Sequence, residues 1–236
     1  MIISHLTAEQ CVEQALAILI THLTSADRDA PEPDALHHIV LTGGGVGMMV
    51  TSRLKEVANA LPPRLWAHVH IWWGDERFVS VNSELRNDHD VEKLLGDFYI
   101  AENVHRAPST ENCNNVYEAA QIYANDLARF ASGTLSTPQF DVVLLGLGPD
   151  GHVASLFPHS SLLTDTGICF GLENSPKPPP QRITMSLSTL NCSSITVILA
   201  SGPAKDQARQ RLAARIGSIQ ETPARGISAR EILILG

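Results

Sequence analysis

The sequence predicts an α/β fold, a doubly wound and mainly parallel sheet flanked by helices, read as a single domain over residues 1–236. Two observations lead there. Short apolar runs alternate with amphipathic stretches of helical period, the pattern of strands joined by helical crossovers. Four of those runs also exit into glycine, charge or histidine: GGGVG, GDER, GPDGH and SGPAK. Ligands of such sheets collect beyond the carboxyl ends of the strands, so these exits are expected to converge on one mouth.

The elements follow in order. Thr7 with Gln10 reads as a capping box, and Val12, Leu16, Leu19 and Leu23 then recur at helical spacing. DRDAPEPDA is a loop. HHIVLT is a buried strand that enters GGGVG and then a helix through MMVTSRLKEVANAL. HVHIWW is a second strand ending in GDERFV, and the polar stretch SVNSELRNDHD leads to a short helix at VEKLL. A longer helix is expected over residues 114–130, with Val116, Ala120, Tyr123, Leu127 and Phe130 on one side. After the linker SGTLSTPQ, FDVVLLGLG is the most apolar strand. Residues 159–181, broken by Pro176, Pro178, Pro179 and Pro180, read as a surface loop. RITMSLSTL and SITVILA are strands, SGPAKDQARQRLAARI is a helix with Pro203 near its first turn, and REILIL is the last strand.

Composition bounds the partners. Hydrophobic residues make up 44% and charged residues 18%, ordinary for a globular chain. A formal charge of -8 argues against nucleic acid or an anionic membrane, which call for a basic face. It leaves room for a small anion held by a few local cations and backbone amides. Cys11, Cys113, Cys169 and Cys192 are scattered without a CxxC pair, so free thiols in a reducing compartment are expected. No secretory leader is read, and no run approaches the roughly 18 apolar residues that span a bilayer, so the expected location is cytoplasmic.

The candidate motifs carry different chemistry. Gly146, Gly148 and Gly151 spell GxGxxG with Glu173 beyond, but Pro149 and Asp150 occupy the turn where a pyrophosphate would sit, and a carboxylate there repels it. Gly43, Gly44 and Gly45 between a strand and a helix suit either an anion cradle or a tight turn needing positive φ. Lys205 in a first helical turn opposes the helix dipole unless a phosphate is bound there, and Arg182 is either a surface residue or a bidentate phosphate contact. Asp75, Glu76 and Arg77 form a charge cluster at a strand end, which reads equally as a solvated ion-pair group. His68 and His70 with Asp75 are weighed as metal ligands and not retained; Ser155 lacks a nucleophile elbow.

Together the segments LTGGG, WWGDERFV, LRND, FDVVLLGLGPDGHVASLFP, the arginine of QRITMS, and SGPAK resemble the 6-phosphogluconolactonases, which share a fold with the glucosamine-6-phosphate deaminases. The resemblance implies hydrolysis of 6-phosphoglucono-1,5-lactone to 6-phosphogluconate, the second step of the oxidative pentose phosphate route, with no metal, no cofactor and no obligate protein partner. It implies His152 as the base that activates water, Asp150 as the residue that orients the ring, and Arg77 or turn amides as oxyanion donors. Gly43, Gly44, Gly45, Arg182 and Lys205 would hold the 6-phosphate, while Asp75, Arg86 and Asn87 would line the sugar side. The deaminases place a proton-shuttling glutamate where this chain has Phe157, which favours the lactonase branch. Val46-Gly47 departs from the serine or threonine usual after the glycines, and Ser80 replaces a proline after DERFV. An amino-sugar-phosphate isomerase or deaminase, and a non-catalytic sugar-phosphate sensor, are the alternatives carried forward.

Overall fold

The computed structural model describes residues 2–4, 6–29 and 34–236. Its strands are β1 (Ile2–Ser4), β2 (His37–Leu41), β3 (Val69–Trp73), β4 (Asp75–Arg77), β5 (Phe140–Gly146), β6 (Cys169–Leu172), β7 (Arg182–Met185), β8 (Ser193–Leu199) and β9 (Glu231–Leu235). The α-helices are α1 (Ala8–Asp29), α2 (Gly44–Ser52), α3 (Leu54–Ala60), α4 (Pro63–Trp66), α5 (Val91–Leu95), α6 (Val116–Ala128), α7 (Leu187–Leu190) and α8 (Asp206–Ala213).

The large sheet runs β1-β9-β8-β5-β2-β3, with every neighbouring pair parallel. Alternation along the strands divides the core between its two faces. On β5, Val142 and Leu144 join α1, α2 and α3 on one side, while Val143 and Leu145 join α6 and α8 on the other. Both faces are covered, which explains why FDVVLL reads as an unbroken apolar run. From β2 the chain moves outward to β3, and from β5 it moves outward the opposite way through β8 and β9. The order therefore reverses between β2 and β5, and a crevice opens above their carboxyl ends.

Several expected elements keep their place and change their extent. The capping box is formed: Thr7 N donates to Gln10 Oε1 at 2.9 Å and Gln10 N to Thr7 Oγ1 at 3.3 Å. The single helix expected through MMVTSRLKEVANAL is two, broken at Arg53, whose φ of -108° and ψ of 10° leave the helical region. Helix α1 takes in the first three residues of DRDAPEPDA, and residues 30–33 of that expected loop lie outside the described residues. RITMSLSTL is not one strand, because Ser186 Oγ accepts from Thr189 N at 3.0 Å and starts α7. The SGPAK segment begins with a short tight turn at Pro203–Lys205, so Lys205 sits at the N-cap of α8 and not inside its first turn.

The largest correction concerns residues 159–181. They are not wholly loop: Cys169–Leu172 forms β6, which pairs antiparallel with β7, and β7 pairs antiparallel with β4 to make a second, three-stranded sheet. Alternating hydrophobicity fails to announce β6 because its four residues, CFGL, carry no polar alternation. The prolines lie between β6 and β7. The DER cluster is likewise a strand, β4, and its pairing with β7 sets Arg77 opposite Arg182.

Candidate active site

Above the β2/β5 crevice lies a cavity of about 270 Å³, and its wall includes Thr42, Gly43 to Gly45, Asp75, Arg77, Asn87, Gly148, His152, Phe157, Lys177, Arg182 and Lys205. The four strand exits do converge. Thr42 ties two of them together, its Oγ1 accepting from Gly146 N at 3.1 Å.

The turn after β5 is shaped around a histidine. Gly148 N donates to His152 O at 2.9 Å and Gly151 N to Gly148 O at 3.0 Å, closing the turn on itself. A Cβ on Gly148 would lie 2.0 Å from His152 Nδ1 and 2.6 Å from Asp150 Oδ1, so only glycine leaves room for the ring. His152 Nδ1 stands 2.5 Å from Asp150 Oδ1, and Phe157 packs on the ring at a centroid distance of 4.7 Å. Burial lowers the His152 pKa and outweighs the opposing pull of Asp150. Burial alone would raise Asp150, but the hydrogen bond and charge of His152 bring it below the usual carboxylate range.

The glycine run splits into three roles. A Cβ on Gly43 would fall 1.9 Å from Asn87 Oδ1, whereas Gly44 has a φ of +77° and Gly45 has open space. The run thus combines a close approach, a left-handed turn and the start of α2, whose N-terminal amides open on the cavity. Asn87 is fixed by Nδ2 donating to Asp75 O at 2.8 Å, and its buried Oδ1 has no protein partner.

Strand β4 alternates. Asp75 and Arg77 line the cavity, and Glu76 points into the protein, where it accepts from Arg77 N, Asn87 N and Asp88 N at 2.7, 2.8 and 3.1 Å. One buried carboxylate thereby positions the backbone of two cavity residues. Burial and the Asp88 charge push Glu76 up to about 7. Burial would raise Asp88 too, yet hydrogen bonds from Arg86 and Arg106 lower it.

Most of the expected site residues meet here, with two changes. Arg86 does not reach the cavity. It is 1% exposed, its Nε and Nη2 donating to Asp88 at 2.7 Å and Nη2 also to Ala107 O. A lone arginine in LRND gives no sign of which way it faces; burial beside two carboxylates turns it inward. Arg182 lines the cavity, but its Nε and Nη2 are taken by the carbonyls of Pro179 and Pro178 at 2.8 and 2.9 Å. Only Nη1 is left, 3.8 Å from Asp75 Oδ2, so a bidentate phosphate contact is not on offer in this arrangement. Burial lowers the pKa of both Arg182 and Lys205.

The metal grouping weighed from sequence does not assemble: His68 Nδ1 lies 2.9 Å from Arg64 O, His70 Nδ1 lies 2.8 Å from His105 Nε2, and Ser155 Oγ donates to Asp75 Oδ2 at 2.6 Å. Lys177 is the residue that sequence reasoning missed. Its Nζ is 3.4 Å from His152 Nδ1, yet a lysine between prolines in a polar loop carries no signature.

Residues 7–234 match the family described as glucosamine-6-phosphate isomerases/6-phosphogluconolactonase. The chain belongs to that family. A 6-phosphogluconolactonase of Mycobacterium bovis is 38% identical over 82% of this chain and 78% of its own length. One of Streptomyces coelicolor is 33% identical over 97% of this chain and 88% of its own. The solved 6-phosphogluconolactonase of Trypanosoma brucei superposes with a TM-score of 0.82 at 24% identity, covering 99% of this chain and 95% of that one. That of Thermotoga maritima gives 0.80 at 22% identity, covering 99% and 98%. Family membership and fold thus agree with the doubly wound α/β architecture described above.

Proposed function

We propose that this protein hydrolyses 6-phosphoglucono-1,5-lactone to 6-phosphogluconate, with His152 as general base. The observation that carries the reading is the Asp150–His152 pair set in a cavity bordered by Arg77, Lys177, Arg182 and Lys205. Four cations around one small cavity suit an anionic substrate on a chain whose net charge is -8. The names of the relatives support the substrate class.

The carboxylate of Asp150 only accepts, so the Nδ1 proton of His152 points at it and the free electron pair stands on Nε2. Nε2 takes a proton from water as the water oxygen bonds to C1 of the lactone. The carbonyl electrons move onto oxygen, giving a tetrahedral oxyanion that Arg77 is placed to stabilise. Collapse of that oxyanion breaks the bond from C1 to the ring oxygen, and His152 returns its proton to the departing oxygen. The 6-phosphate is assigned to Lys205, Nη1 of Arg182 and the amides at the start of α2. Asp75 and Asn87 are assigned to the sugar hydroxyls. Phe157, packed on His152, forms an apolar wall with no proton to shuttle.

Residues 1–236 are read as one catalytic domain, and the free thiols Cys11, Cys113, Cys169 and Cys192 support a cytoplasmic setting. The test is hydrolysis of freshly prepared lactone, corrected for spontaneous opening, in wild type and His152→Ala. A fall of at least about a hundredfold with the fold intact is expected. An equally active variant removes the base from the mechanism, and a wild type at background rate removes the substrate.

A further inference from the structure

Lys177 reaches the cavity from the segment between β6 and β7, and that segment is tied down. Arg182 donates from Nε to Pro179 O at 2.8 Å and from Nη2 to Pro178 O at 2.9 Å and Lys177 O at 3.3 Å. Ser175 adds two ties: its N donates to Pro180 O at 2.9 Å, and its Oγ accepts from Lys177 N at 3.3 Å. The backbone of Lys177 is therefore held from both sides.

Its ammonium lies 3.4 Å from His152 Nδ1, the nitrogen already 2.5 Å from Asp150 Oδ1. Nδ1 carries one hydrogen, directed at a carboxylate that only accepts, and so has no electron pair to offer Lys177. The contact is a positive charge set against the ring. Such a charge disfavours the imidazolium and leaves neutral imidazole with its lone pair on Nε2.

We propose that Lys177 is a positioning residue for the hydrolysis, holding His152 as a neutral base against two nearby carboxylates. The inference rests on the lactonase reading. The groups that face the ring come from its own turn and the residues just after it, from β4 and from the proline segment. Asp150 lies on its own turn and Asp75 on β4, and both favour protonation; Lys177 on the proline segment opposes it, and Phe157 excludes water from one face. Arg77, Arg182 and Lys205 border the same cavity. Burial already pulls the His152 pKa down, and Lys177 pulls the same way. Without the ammonium, burial alone opposes the two carboxylates, and a larger share of the enzyme carries a protonated, inactive base at mildly acidic pH. Arg182 acquires a second task, because its guanidinium delivers the segment that carries Lys177.

The experiment uses the full chain with Lys177→Met, Lys177→Gln and Lys177→Arg. His152 is titrated by the NMR signal of its Cε1 proton, assigned by its loss in His152→Gln, and kcat/KM is followed across pH. The titration midpoint is expected to rise in the two neutral variants, and the acid limb of kcat/KM to rise with it. Relative to wild type, activity near pH 6 should then drop at least about threefold more than activity near pH 8. Lys177→Arg should restore both readouts. An unmoved midpoint overturns the proposal, whether activity is unchanged or falls equally at all pH; the latter makes Lys177 a substrate ligand or a loop brace. Should one neutral variant fail to fold, the other carries the comparison. A wild type that titrates as expected but opens no lactone refutes the parent reading and leaves the electrostatic contact established.

Discussion

Substituting alanine for Gly43 tests whether the cavity wall is as rigid as its contacts require. The new Cβ would stand 1.9 Å from Asn87 Oδ1, 2.5 Å from Cγ and 2.9 Å from Nδ2. Ordinary contact between a methyl carbon and an amide needs roughly 3.3 Å, so the Asn87 side chain must retreat by more than about 1 Å. Its 2.8 Å hydrogen bond to Asp75 O does not survive such a shift. A buried carbonyl left unpaired costs about 1–3 kcal/mol, and crowding adds about 1 kcal/mol or more. The backbone itself imposes nothing, since Gly43 has a φ of -80°, open to any residue. Unfolding by urea should therefore show Gly43→Ala destabilised by about 2–4 kcal/mol, with kcat/KM reduced because Asn87 is displaced from the cavity. The decisive measurement is a double-mutant cycle with Asn87→Ala, which removes the obstacle. In that background Gly43→Ala should cost less than about 1 kcal/mol. An equal cost in both backgrounds would show that the collision is not the cause and would refute the reasoning.

Two further outcomes are expected. Asp150→Asn puts an amide beside His152 Nδ1; the amide can donate there and place the ring proton on Nε2, so kcat should fall by about 10²–10⁴-fold with KM nearly kept. A rise in KM with kcat unchanged would contradict this. His38 bears on acid stability: burial lowers its pKa from 6.5 to about 3, with the neighbouring histidines adding to the effect. The unfolded chain binds a proton below about pH 6.5 and the folded chain only near pH 3, so stability is lost as pH falls through that window. Between about pH 7.5 and about pH 5 the loss from this one group is ~2 kcal/mol. His38→Gln, which keeps an acceptor for the Trp72 Nε1 donor, should lack it, and parallel stability curves for the two proteins would count against the assignment.

The parts of the fold that could be read from sequence are those whose burial leaves a period. Val12, Leu16, Leu19 and Leu23 repeat every turn of α1, and the run FDVVLL is apolar because both its faces are covered. Strands β4 and β6 have no such mark, since one is a run of charges and the other four residues without alternation. The site shows the same divide. His152 is legible through the string GPDGHVASLFP, which carries the resemblance to the 6-phosphogluconolactonases, and the structure adds the physical reason for Gly148, whose Cβ would meet the ring. Direction is not: Arg86 and Arg77 stand nine positions apart in similar company, yet one is sealed against Asp88 and the other borders the cavity. Lys177 owes its position to Arg182 and Ser175, contacts that exist only after β6 and β7 have paired.

The three-residue strand β4 makes the sign pattern of the cavity a matter of alignment. Asp75, Glu76 and Arg77 sit opposite Thr184, Ile183 and Arg182, and successive side chains of a strand face opposite ways. A slip of one position would swing Glu76 into the opening and send Asp75 and Arg77 into the space now shared by Arg86 and Asp88. The composition would be untouched, while the opening would trade an aspartate and an arginine for a glutamate. Insertions or deletions between residues 74 and 78 are thus far more damaging than any single replacement there, since they turn the remaining side chains of the strand to the opposite face and rewrite the charge of the opening.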